Sequence, residues 1–291
     1  MTTCSSAPTR LFKSFFFDSG LGYFFYYILR NDWVWSFLRD DEKEFIRRQN
    51  DYWNNNNPGY KDPDKYQGQQ GRSFATNDNR CATWEGRMIQ EFLEAERPKR
   101  VLEVGPGSGY YTRQIIDCPS VVSYYATDIN VGFLKSVERA ITAHSRASEV
   151  TTELLDIEHL DSAKFSVDAI IILSALHHIP DRSEFVRRIA ERLAPGGSIF
   201  FYEPTHSLAR IFQLSWSFLC NRWYSTKVVL ARNNYMTHHF CSVPEMKAIA
   251  RSADCELEKW DIKSRLPKRL SRWIHRPVGK EMVAVLRRAQ R

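Results

Sequence analysis

The sequence has little of what staples or anchors a chain. Its six cysteines (Cys4, Cys81, Cys118, Cys220, Cys241, Cys255) are scattered through 291 residues. There is no C-x-x-C pair and no dense spacing, which argues against a disulfide framework. They read as reduced thiols and the protein as cytoplasmic. His238 and His239 have no cysteine or acid at ligand spacing beside them, so no metal is expected. Long apolar runs are also missing. Uncharged apolar stretches such as Ser19 to Leu29 and Ile211 to Asn221 are 11 residues each, against the ~20 that a bilayer-crossing helix needs. Arg10 and Lys13 precede Phe15, Phe16 and Phe17, but Asp18 interrupts the run and no small-residue cleavage site closes it, which argues against a secretory signal. With 43% hydrophobic and 26% charged residues, the chain can bury a core and is not of disordered composition.

The net charge of +7 invites a nucleic-acid reading, but its distribution tells against one. Between Lys259 and Arg291, eleven Lys and Arg face Asp261 and Glu281. The basic character therefore belongs to the C-terminal stretch, as a solvated strand edge or as a contact with an anionic surface. Nucleic acid is not the expected partner, while peripheral contact with a membrane stays open.

Aromatic residues crowd the front, with twelve of the chain's 39 between Phe12 and Phe37. Lys13, Asp18, Arg30 and Asp32 interrupt them, which suits short helices packed on something apolar. Asn54 to Arg80, with an Asn run, Pro58 and Pro63, reads as a polar linker. From Thr83 onward Trp84, Met88, Ile89, Phe92 and Leu93 recur at helical spacing, and Pro98 ends that helix. Strands are then expected at Arg100 to Val104, Val121 to Thr127, Thr151 to Leu155, Val167 to Leu173 and Ser198 to Tyr202. Helices at Val131 to His144 and Asp181 to Ala194 lie between them, and Ser242 to Glu245 has capping-box spacing. Such alternation means a parallel sheet with right-handed crossovers. Two closing strands, Glu256 to Ile262 and Glu281 to Arg287, form an antiparallel pair at its edge.

An apolar strand, Val101 to Val104, runs into Gly105-Pro106-Gly107-Ser108-Gly109 and then a helix, the context in which a glycine loop binds a ligand. Tyr110 stands where a dinucleotide fingerprint has its third glycine, so a pyrophosphate is not the favoured guest. Asp128 and Asp156 end the second and third strands. Ligands of open α/β sheets lie outside the carboxyl ends of the strands, so Glu103, the glycine loop, these acids and the residues after Leu173 converge on one crevice.

Across roughly residues 80 to 291 these motifs resemble the class I S-adenosylmethionine-dependent methyltransferases. Glu103-Val104-Gly105-Pro106-Gly107-Ser108-Gly109 resembles the family's first motif, Asp128 its ribose-binding acid, and Asp156 with Ile157 its adenine-edge residues. The segment from Asp168 to His178 and the Leu193-to-Ser198 turn are similar to small-molecule members. The resemblance implies S-adenosyl-L-methionine as cofactor, held by Glu103, Gly105, Gly107, Gly109, Asp128, Ile129, Asp156, Ile157 and Ser174. It also implies a doubly wound, seven-stranded, mostly parallel sheet with an antiparallel last strand. A carboxylate-flanked neutral loop suits a cationic sulfonium nucleoside, with a nicotinamide-dependent oxidoreductase as the other cofactor reading. The Asn/Asp-Pro-Pro-aromatic signature of amino-methylating nucleic-acid enzymes is absent after the fourth strand, where Ser174-Ala175-Leu176-His177 stands.

His177 and His178 follow the fourth strand and are the candidate catalytic residues, His177 first. An imidazole there serves as general base, or else caps the strand, orients the substrate or packs. Glu203, ending the fifth strand, is a second candidate, or a structural carboxylate bonded to nearby amides. The chain is thus expected to comprise a helical, aromatic-rich cap and linker (1–80) and a methyltransferase domain (81–291) with a helical insertion near 205–240. Its expected substrate is a small apolar or aromatic metabolite, methylated on oxygen or carbon. The alternatives are a lipid or quinone headgroup at a membrane surface, or a nucleotide-binding module without turnover.

Overall fold

In the computed structural model the described residues are 80–142, 149–155, 166–205, 241, 243–263 and 281–289, together with Arg47. The expected cap, the insertion between 206 and 240, and Asp156 and Ile157 lie outside them.

Helix α1 (Trp84–Glu96) starts where Thr83, in extended backbone, accepts the Gly86 N–H on its hydroxyl at 3.0 Å. It stops at Arg97, whose left-handed backbone (φ 47°) returns an N–H to the Leu93 carbonyl just before Pro98. Next come β1 (Arg100–Val104), α2 (Thr112–Ile116) and β2 (Ser123–Asp128). Asn130 then caps α3 (Val131–Thr142), its Oδ1 accepting from Gly132 and Phe133. β3 (Glu149–Leu154) and β4 (Val167–Leu173) lead into a 3-10 turn, Leu176–His178. The remaining elements are α4 (Arg182–Ala190), β5 (Leu193–Pro204), α5 (Val243–Ser252), β6 (Cys255–Ile262) and β7 (Glu281–Arg288).

The helix expected over Asp181 to Ala194 is shorter. Asp181 does cap it, accepting from Glu184 N–H, but α4 ends at Ala190 and β5 has begun by Leu193, paired with Val167. The register shift between Val167 and Ala169 and the left-handed Gly196 (φ 76°) let the Ala194-to-Gly197 kink lie within that strand.

The seven strands run in the order β3-β2-β1-β4-β5-β7-β6. The first five are mutually parallel, and β7 is antiparallel to both of its neighbours. Because successive strand residues face opposite sides, the apolar run of β4 feeds two cores. Ala169 and Ile171 pack with Phe200 under Ile89, Phe92 and Leu93 of α1 and Val137 and Ile141 of α3. Ile170 and Ile172 pack with Phe201 under Phe185 and Ile189 of α4 and Met246 and Ile249 of α5. The sheet is covered on both faces, and the carboxyl ends of its parallel strands meet at one edge. No helix among the described residues is long and apolar enough to cross a membrane.

Candidate active site

At that edge the β1 loop turns through three left-handed glycines, Gly105 (φ 69°), Gly107 (φ 52°) and Gly109 (φ 71°). Gly105 is required for closeness: a Cβ there would stand 2.8 Å from the Ala175 Cβ, so the loop is pressed against the turn after β4. Gly107 differs, since a Cβ on it would meet nothing within 4 Å. Its backbone thus faces open space next to the strand ends, where a ligand can approach closely.

Asp128 ends β2 beneath this loop, 6% exposed. Its carboxylate accepts the N–H groups of Gly107 (3.3 Å) and Asn130 (2.9 Å). Burial pushes its pKa up to about 6 against the lowering effect of those amides. Ile129 and Val131 beside it are 41% and 47% exposed, an apolar lip at the crevice. Loop, acid and lip match the chemistry of a nucleoside: hydroxyls for the carboxylate, a flat base for the apolar side chains and close backbone approach at Gly107. S-adenosylmethionine fits this donor set better than a phosphate-bearing cofactor does, because the carboxylates would repel phosphates.

Glu103 faces inward. It is 1% exposed and accepts the hydroxyl of Thr112 at 2.7 Å and that of Tyr124 on β2. Burial pushes it up to about 7; the two hydroxyls pull down and the Asp128 charge pushes up. Its observed contacts hold β1, β2 and the start of α2 together under the loop.

Across the loop, β4 ends in Ser174, an exposed residue with left-handed backbone (φ 53°) whose N–H is held by the Tyr202 carbonyl at 2.7 Å. A non-glycine residue in that region marks a constrained turn. The constraint aims the following 3-10 turn at Glu203, which ends β5 fully buried. Glu203 Oε1 accepts the N–H groups of Ala175 (3.0 Å) and Leu176 (2.8 Å), while Oε2 lies 2.7 Å from His177 Nδ1. The amide bonds are those of a structural carboxylate, and the same group also touches the candidate imidazole. Burial pushes it above the ordinary carboxylate range, against those amides and the Arg182 charge. His178 lies face-tilted on His177, with ring centroids 4.2 Å apart. Burial, then the neighbouring His177 and, behind it, the Arg182 charge push its pKa well below 6.5 in spite of Glu203.

The sequence did not single out Thr112, Tyr124 or Arg182. Arg182 is buried, donates to the Leu176 carbonyl and pairs with Glu245, a residue read from sequence only as part of a capping box. An arginine inside an amphipathic helix has nothing in its local pattern to mark it as buried. The crevice-side signals of Gly105, Gly107, Gly109, Asp128, Ser174, His177 and His178 do come together. Asp156 and Ile157 fall outside the described residues.

Residues 102–199 match a family model described as a methyltransferase domain. A highly reducing polyketide synthase of Alternaria alternata is 30% identical over 150 residues, which is 50% of this chain and 6% of that protein. A malonyl-[acyl-carrier protein] O-methyltransferase of Chlorobium luteolum is 31% identical over 105 residues, 35% of this chain and 39% of that enzyme. The chain therefore spans a minor part of the curated relatives it matches. Among solved structures, the magnesium protoporphyrin IX methyltransferase of Synechocystis PCC 6803 with bound S-adenosylhomocysteine aligns at TM-score 0.50 and 13% identity, covering 70% of this chain and 81% of that one. That likeness supports the fold. In the family-model match, the strand order and the glycine loop, residues 102–199 are thus similar to the class I S-adenosylmethionine-dependent methyltransferases.

Proposed function

We propose that the protein transfers a methyl group from S-adenosylmethionine to a small molecule whose acceptor must lose a proton, either a hydroxyl or a carbon made acidic by a neighbouring carbonyl. The observation that carries this reading is the hydrogen bond between His177 Nδ1 and Glu203 Oε2. With Glu203 ionised, the carboxylate accepts the Nδ1–H proton and leaves a lone pair on Nε2 to take a proton from the acceptor. The chain's other residues align the reactants. Gly105 sets the β1 loop against the β4 turn, Asp128 takes nucleoside hydroxyls, Ile129 lies along the base, and Ser174 shapes the path from cofactor to acceptor. Glu103 supports the loop from below. The cofactor supplies an electrophilic methyl on a sulfonium, so alignment and one proton transfer complete the chemistry.

The names of two relatives support an acyl acceptor: one is a highly reducing polyketide synthase, the other a malonyl-[acyl-carrier protein] O-methyltransferase. An acyl thioester with an acidic α-carbon suits the base, and the relatives' names supply the acyl context. The test is mass spectrometry of the protein with S-adenosylmethionine and three acceptors in parallel: a β-ketoacyl thioester, a malonyl thioester and a simple phenol. A 14-dalton gain on the first, lost in His177→Ala, supports the reading. Products formed equally well by wild type and His177→Ala would remove the base. The basic stretch from Lys259 to Arg291 supports a second reading, an acceptor presented at an anionic membrane surface. Co-sedimentation with vesicles with and without anionic lipid tests it.

A further inference from the structure

Arg182 opens α4 directly after its Asp181 cap, yet it is only 5% exposed, an unusual burial for a guanidinium. Its Nε–H donates to the Leu176 carbonyl at 3.2 Å, and an η-nitrogen donates to Glu245 Oε1 at 2.6 Å. The Glu245 side chain is 10% exposed. Leu176 immediately precedes His177, and Glu245 lies in the first turn of α5. One side chain therefore joins the turn that carries His177, the start of α4 and the start of α5.

A buried ion pair adds little net stability, because removing two ions from water costs about as much as their attraction returns. Its geometry is the better explanation. The planar fork of a guanidinium can serve a carbonyl and a carboxylate at once, whereas an ammonium offers no such fixed arrangement. We propose that Arg182, held by Glu245, is a positioning residue that fixes the Leu176 carbonyl, and with it the His177 turn, and that sets a positive charge facing Glu203. This rests on the reading of His177 as a base. Among the described residues, His177 and the Ala175 and Leu176 amides bond Glu203 directly, the charges of Arg182 and His178 also act on it, and Glu245 and Cys241 act on Arg182. Within this set only Arg182 carries a permanent positive charge. If the Glu203 carboxyl were protonated, it would donate to His177 Nδ1. The imidazole proton would then sit on Nε2, where no lone pair remains to accept a proton.

The test uses the full chain without cofactor, with 15N-labelled histidine, and follows the His177 tautomer by NMR as pH is raised; pH profiles of methyl transfer are measured alongside. Arg182→Met should raise the pH at which the Nδ1–H tautomer appears by about one unit, the size of effect of losing one nearby opposite charge. Glu245→Gln leaves the guanidinium charge uncompensated and should move the same transition to lower pH. A role limited to holding the fold produces no such pair of opposite shifts. Arg182→Lys keeps the charge and loses the fork, so the transition should stay at the wild-type pH while turnover falls ~10-fold or more at unchanged cofactor affinity. An unmoved transition in both Arg182→Met and Glu245→Gln overturns the proposal, as does wild-type turnover in Arg182→Lys. Should Arg182→Met fail to fold, the direction of the Glu245→Gln shift decides. The tautomer is read without substrate, so shifts seen in a protein that transfers no methyl group keep the role of Arg182 and remove the base reading instead.

Discussion

Where β1 and β4 begin, Asp168 accepts the backbone N–H groups of Lys99 (3.0 Å) and Arg100 (2.9 Å) and the Arg100 guanidinium (2.7 Å). At the opposite edge, Glu103, Asp128 and Glu203 end or nearly end their strands, each at most 6% exposed. Partial burial pushes Asp168 up, but its cation and amides outweigh that and hold it below its ordinary value. The other three are pushed up by burial, and hydroxyls and amides only partly offset the shift. The same residue type thus stitches the sheet at one edge and is held under electrostatic strain at the other. Carboxylates kept at a cost in stability are the ones expected to meet substrate, cofactor or the groups that position them.

The contrast breaks first if chemistry does not depend on the strained edge. His177→Ala and Glu203→Gln should each lower turnover ~100-fold or more, the contribution of a positioned general base, with cofactor affinity changed by less than about twofold; steady-state kinetics and calorimetry read the two effects. Next in size is Asp128→Ala, which should weaken cofactor binding by ~1.5 to 3 kcal/mol, the range for hydrogen bonds to a charged group. Unchanged affinity in the same titration would remove Asp128 from the site.

Glu103→Gln sharpens the comparison through pH. A carboxyl raised from 4.5 to about 7 in the folded protein contributes stability that is present below pH 4.5 and lost as pH rises through 7. Glutamine keeps an acceptor for Thr112 and Tyr124 without the buried charge. The variant should therefore be more stable than wild type above pH 7, by up to ~3 kcal/mol, and the gap should close towards pH 4.5 in denaturant titrations. The smallest effect belongs to the stitched edge: Asp168→Ala leaves two strand-start amides without their acceptor and should cost ~1 kcal/mol while cofactor binding stays intact.

The sheet was legible because its evidence is local. Continuous apolar runs such as Ala169 to Leu173, and the Thr83 and Asp181 caps, place most elements within a few residues. The boundary after Ala190 was not, since β5 reaches back to Leu193 by pairing with Val167, a contact that α4's own pattern does not contain. The glycine loop, Asp128 and His177 were legible for the same reason, each belonging to a short motif. The partners that decide their chemistry are remote in the chain: Glu203 for His177, Tyr124 for Glu103, Glu245 for Arg182. A carboxylate reads alike in sequence whether it meets water, a hydroxyl or an imidazole, and only the crossovers determine which.

Strand β7 sits between β5 and β6, where Glu203 is paired with Met282 and Tyr202 with Val283. Until residues 281–288 have been synthesised and threaded into that gap, β5 has one flank without its ladder, and only the β4 side holds the carboxylate near its tip. Closing so long a loop is slow compared with forming α1 or α4. The strand pairings of β1 and β2, which frame the glycine loop, all lie before residue 174 and can form early, whereas the second flank of β5, beside Glu203, is completed only with β7.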